Sequence, residues 1–136
     1  MQIPRFKFLI GTTLLLIALI NCGCTAGLRK ARYSKQAERY FKAGQYDEAK
    51  VEYIKLLRID PQNAAAYARM GQMWLEEGSP LRAGTYLAGA IKFDPKDWAS
   101  QVRLAKSYGL IGQTAEERQA AESILKQAPA WERRRA

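Results

Sequence analysis

Cys22 and Cys24 are the residues of this chain whose type and spacing most invite chemistry. Two thiols separated by one glycine can ligate a metal, become acylated or be oxidised. They stand just after "FLIGTTLLLIALI", Phe8 to Ile20, thirteen residues without a charge. Arg5 and Lys7 precede that run, and no acidic residue lies near it. A helix of that length is about 20 Å long, short of the ~30 Å hydrocarbon core of a bilayer. A basic start, a short apolar middle and small residues after it form the layout of an export signal. Metal binding by the Cys-x-Cys pair would need further ligands nearby, and there are none.

The rest of the chain is poor in reactive groups. Its 136 residues contain no histidine, which removes histidine triads, histidine metal ligands and the commonest general base. The two cysteines are too close together to staple a domain. Glu76-Glu77 and Glu116-Glu117 are sequence neighbours that diverge around a helix, so neither pair flanks a substrate. No phosphate loop or nucleophile motif is present. The expectation is a protein that is not an enzyme and uses no cofactor or metal. The net charge of +9, from 22 Lys and Arg against 13 Asp and Glu, is mixed along the chain. That mixing argues against nucleic acid as partner.

The segment "LINCGCTAG" resembles the lipobox of bacterial lipoproteins, in which a small residue precedes a cysteine that is diacylated and becomes the new N-terminus. Gly23 before Cys24 fits, and Asn21 before Cys22 fits less well. Asn21 stands where the family prefers leucine three places before the cysteine. Cleavage after Ala26 is the competing reading. The resemblance implies a signal peptide over residues 1–23, a lipidated anchor and linker over 24–29, and a membrane partner held through acyl chains. Thr25, rather than aspartate, after the lipidated cysteine implies an outer-membrane lipoprotein facing the periplasm. Arg29, Lys30, Arg32 and Lys35 crowd the exit of the apolar run. Without cleavage they would favour an inner-membrane anchor with the body in the cytoplasm; beside an anchor they could rest on anionic headgroups.

The elements that must carry any function repeat. Gly44, Gly78 and Gly112 are thirty-four residues apart, and so are Pro61, Pro95 and Pro129. Counting columns from Lys30, Ala64 and Trp98, column 8 is small (Ala37, Gly71, Ala105) and column 11 aromatic (Tyr40, Trp74, Tyr108). Column 20 reads Ala49, Ala83, Glu117, and column 24 reads Tyr53, Leu87, Ala121. Asn63 and Asp97 are placed to cap the helices that follow them. Ser79-Pro80 reads as a cap and a first-turn proline, and Thr114 with Glu117 as a capping box.

This pattern resembles the tetratricopeptide repeat. The resemblance implies an all-α fold, a right-handed superhelix of about three helix-turn-helix repeats (30–63, 64–97, 98–131), with residues 132–136 left as a basic tail. Polar drift at Glu117 and Ala121 in the third copy is expected of a terminal repeat. The family's groove is lined by its first helices. Its carboxylate clamp does not carry over, because Ser34 and Glu38 replace lysine and asparagine, and Ala99 a further lysine. Column 6 is basic throughout: Lys35, Arg69, Arg103. With Phe41, Leu75 and Leu110 as apolar neighbours and Gln72 and Lys106 as donors, it offers a groove for a protein or peptide partner. Trp131, past the last proline, suggests that the C-terminal end is covered by self-association or by a partner; the alternative is that the polar drift at Glu117 and Ala121 already makes it soluble. The implied role is a scaffold or adaptor in a bacterial envelope complex.

If Cys24 is the lipidated residue, intact-mass analysis of the membrane-extracted protein will show cleavage before Cys24 and added acyl mass. An unmodified chain beginning at Gly27, or an uncleaved one, would contradict it.

Overall fold

The computed structural model describes residues 26–112, 115–127 and 129. The apolar run, Cys22, Cys24, Thr114, Trp131 and the basic tail lie outside them, as do the side chains of Glu117 and Ala121. Six helices follow one another: α1 (residues 26–42), α2 (Tyr46–Ile59), α3 (Ala64–Glu76), α4 (Pro80–Phe93), α5 (Trp98–Ile111) and α6 (Ala115–Gln127). Among the described residues there is no strand, and no helix is long and apolar enough to cross a membrane.

Each hairpin turns at a glycine for a steric reason. Gly44, Gly78 and Gly112 have φ of 72°, 71° and 67°, left-handed values that a Cβ disfavours. At the far end of each full hairpin, Asp60 and Asp94 stand before proline with φ of −131° and −135°. Proline drives the preceding residue out of the helical region, so the helix must stop there. Asn63 and Asp97 then start the next helix. Asn63 Oδ1 accepts from Ala66 N–H at 2.9 Å and Asp97 Oδ1 from Ser100 N–H at 3.1 Å. Ser79 occupies the expected cap position with Pro80 behind it, yet its side chain makes no cap hydrogen bond. That part of the expectation is corrected.

The core lies where the columns place it. Ala37, Ala49, Tyr53, Leu56, Ala66, Met70 and Met73 form one buried cluster, and Ala83, Leu87 and Leu104 a second. The tightest contact is between α3 and α4. A Cβ on Gly71 would lie 2.5 Å from Leu87 Cγ and 3.2 Å from the Leu87 backbone nitrogen. Only a hydrogen fits there, so the small residue of column 8 sets how closely the large residue of column 24 can dock. The aromatic column is half-buried at Tyr40, Trp74 and Tyr108, each packed against one of the two clusters.

Charged groups lock the hairpins from outside. Lys30 Nζ meets Asp60 at 2.6 Å, tying the start of α1 to the end of α2. Lys50 is almost wholly buried and bonds Glu77 at 2.7 and 2.9 Å and Asp47 at 2.9 Å. Burial works to lower the Lys50 pKa, but hydrogen bonds to Glu77 and Asp47 outweigh it and the net shift is upward. Its ammonium also stands 4.2 Å from the centre of the Trp74 ring, a cation–π contact made in a dry setting.

The α3–α4 contact makes a stability prediction. Gly71→Ala will destabilise the protein by about 1–2 kcal/mol, because overpacking outweighs the helix propensity gained. In a Leu87→Ala background the same substitution will cost less, since the side-chain clash is gone and only the 3.2 Å approach to the backbone nitrogen of residue 87 remains. Denaturant unfolding of the four proteins checks this.

Candidate functional site

The first helices of the hairpins stand side by side: α3 touches α5, and α1 is joined to α3 through side chains. The joint is a carboxylate. Glu38 on α1 accepts from the Tyr53 hydroxyl on α2 at 2.6 Å and from Arg69 Nε on α3 at 2.9 Å. Arg69 also reaches Glu38 Oε2 at 3.4 Å, donates to Gln72 Oε1 at 3.3 Å, and lies 4.6 Å over the Phe41 ring. Gln72 passes the chain on to Glu76 at 2.8 Å, and Glu76 accepts from the Tyr46 hydroxyl. Tyr46 in turn packs its ring against Phe41 at 5.8 Å. Three helices thus share one polar network that encircles a phenylalanine.

The protonation states follow from this geometry. Burial would raise the Glu38 pKa, but hydrogen bonds from Tyr53 and Arg69 and the positive charges of Arg69 and Lys42 outweigh it, so the carboxyl is held below its ordinary range. Burial first, and then the anionic Glu38 beside it, push the Tyr53 hydroxyl up. Tyr53 is therefore a fixed hydrogen-bond donor and Glu38 a fixed anion. Neither group is free to shuttle a proton near neutral pH.

The column 6 cations consequently differ from one another. Lys35 is exposed on α1, Arg69 is neutralised by Glu38, and Arg103 is half-buried on α5. Neither Lys35 nor Arg103 makes an ion pair among the described residues. Gln72 and Leu75 are half-buried on α3, while Lys106 is exposed on α5 and Leu110 retains 62% of its surface. The structure brings Phe41, Arg69 and Gln72 into one cluster and sets Arg103, Lys106 and Leu110 together on the next first helix. Sequence reasoning named Glu38 only as a clamp position lacking its asparagine, and did not single out Tyr53, Tyr46 or Glu76 as parts of this face. The available signal was that column 9 of one copy adjoins column 6 of the next, which makes Glu38 and Arg69 a pair.

Among the described residues no group of three or more potential metal ligands gathers. What this surface presents is cationic and hydrogen-bonding positions interleaved with apolar ones along neighbouring helices.

Comparison with known proteins agrees with the architecture. The family described as TPR repeat matches over residues 37–78. The TPR2B domain of yeast Sti1, solved in its pHsp70 complex, is 19% identical with a TM-score of 0.64, covering 74% of this chain and 78% of that one. MamA protein is 24% identical with a TM-score of 0.65, covering 75% of this chain and 54% of that one. The chain thus spans about half the length of MamA and most of the Sti1 domain, and shares their all-α helical-repeat fold.

The Glu38 node gives a pH dependence with a definite sign. A carboxylate whose pKa is lowered by folding contributes stability that is complete above its ordinary value of 4.5 and is lost as pH falls through the folded value. Glu38→Gln will cost about 1 kcal/mol or less at neutral pH, because the pair is partly exposed, and will flatten the decline in stability as pH falls below 4.5. Chemical unfolding across that range checks it. An unchanged slope would mean that the pair adds nothing.

Proposed function

We propose that this protein is an envelope-anchored tetratricopeptide-repeat scaffold that holds a protein or peptide partner along its first helices. The observation that supports it is the arrangement on α3 and α5: α5 carries a half-buried Arg103 with exposed Lys106 and Leu110, and α3 carries an Arg69 that is already oriented. A part-buried network holds Arg69 and Gln72 in place before any partner arrives, which lowers the ordering cost of binding. In the Sti1 domain the same fold is seen with pHsp70; here the chemistry differs, because Glu38 occupies a position where the carboxylate clamp needs a donor. The partner we expect is extended and acidic, with apolar side chains between its charges.

The anchoring half of the proposal rests on the sequence, through the apolar run Phe8 to Ile20 and on Gly23-Cys24. Lipidation at Cys24 would make the chain an outer-membrane lipoprotein facing the periplasm. Pilus assembly, outer-membrane assembly and polysaccharide or protein export are processes in which such an adaptor would serve. A second reading is favoured by Arg29, Lys30, Arg32 and Lys35 just beyond the run: an uncleaved inner-membrane anchor that presents the repeats to the cytoplasm.

The structure guides the choice of test. Reversing Arg69 would set two carboxylates against each other at Glu38 and disturb the fold, so it is a poor probe. Arg103→Glu with Leu110→Asp alters the presented surface alone. This double variant will lower partner affinity at least about tenfold, equivalent to ~1.4 kcal/mol, while its helical circular dichroism stays unchanged. Undiminished binding by a folded double variant would rule out this surface as the partner site.

A further inference from the structure

The outer face of α1 carries a pattern that partner binding does not use. Leu28, Arg32, Lys35, Arg39 and Lys42 are spaced four and three residues apart, which places them on one side of a helix. All five are exposed, Leu28 to 72%. The opposite side, through Tyr33, Ala37 and Tyr40, faces the core. Over its described length α1 has a single acidic residue, Glu38, and that is turned to Tyr53 and Arg69. None of the four cations makes an ion pair among the described residues, whereas Lys30, Lys50, Lys55 and Arg69 each have a carboxylate within 2.9 Å. An open recess of about 590 Å³ runs along them, lined by Arg32, Lys35, Gln36, Glu38, Arg39 and Lys42.

We infer that this stripe is a membrane-surface contact whose occupant is the phosphate layer of anionic phospholipids. Its position in the sequence selects the occupant. Leu28 comes eight residues after Ile20, the end of the apolar run. Whether the chain is held by that run or by acyl groups on Cys24, the stripe begins at the bilayer surface; the inference rests on that anchoring reading. The stripe is straight and about 21 Å long, so it can lie along a flat charged plane. Leu28 enters the headgroup boundary, and the basic side chains follow at phosphate level with their stems extended over it. Each Lys or Arg held there contributes about fivefold to partitioning at moderate ionic strength. Lys35 then belongs to this face more than to the groove, and Arg69 and Arg103 are left to the partner.

The test uses the full chain in vesicles of phosphatidylcholine, or of phosphatidylcholine with phosphatidylglycerol. A water-soluble acylating reagent modifies exposed lysines, and mass spectrometry reads each site. In the anionic vesicles Lys35 and Lys42 will react about fivefold more slowly or less, and high salt will restore them. Lys92 and Lys96, exposed on the second hairpin and the loop after it, will react alike in both vesicles. Arg32→Glu with Arg39→Glu will return Lys35 and Lys42 to their neutral-vesicle rates. Equal rates at Lys35 and Lys42 in the two vesicles, or protection that survives the double reversal, would overturn the inference. Flotation with the neutral vesicles reports separately on whether the apolar run anchors the chain.

Discussion

Everything in this protein depends on how closely α3 can approach α4. A two-helix hairpin of this length leaves an apolar face that only a neighbouring hairpin can cover, so the geometry inside each hairpin fixes the geometry of the stack. Gly71 against Leu87 is the tightest place, with no room for a single methyl group. Leu87 is thereby pressed fully into the core beside Ala83 and Leu104 of the following first helix. Gly84 continues the same logic outward, since a Cβ there would sit 3.5 Å from the Ser107 hydroxyl of α5. Small residues on one helix and large ones on the next turn a local spacing into a superstructure.

The polar network between the first two hairpins is the second layer of the design. Removing charged groups from water is costly unless they are paired and hydrogen-bonded, and Glu38 and Arg69 meet both conditions while remaining partly exposed. Because the pair is only part-buried, its value lies less in net stability than in direction. It orients Arg69 over Phe41 and leaves Gln72 tied to Glu76, so that part of the candidate face is held in place. The α5 side, by contrast, presents Leu110 openly, and Arg103 makes no ion pair among the described residues. One stretch of the surface is pre-set and the next is available.

The sequence made the architecture legible because its signals are local. The turn glycines, the prolines that force Asp60 and Asp94 out of the helix, and the Asn63 and Asp97 caps all act within a few residues. Column 8 was legible as small, and the structure supplies the reason in the Leu87 contact. What escaped was anything joining residues across hairpins. Glu38 looked like a failed clamp residue until Tyr53 and Arg69 converged on it, and Tyr53 looked like a large core residue although its hydroxyl is half of that joint. Lys50 gave no hint that it would be buried against Trp74, where Arg82 also stands 4.7 Å from the ring centre. Equal spacing made Lys35, Arg69 and Arg103 look equivalent; pairing geometry divides them.

The claim that the first helices carry the partner is tested most directly by site-specific photo-crosslinking in the full-length protein under native expression. A photoreactive residue would be placed at Lys106 on α5 in one protein and at Ala88, exposed on α4, in another. The account predicts a discrete covalent adduct from position 106 that is absent from position 88. An adduct from position 88 alone would place the partner on the second helices and contradict it.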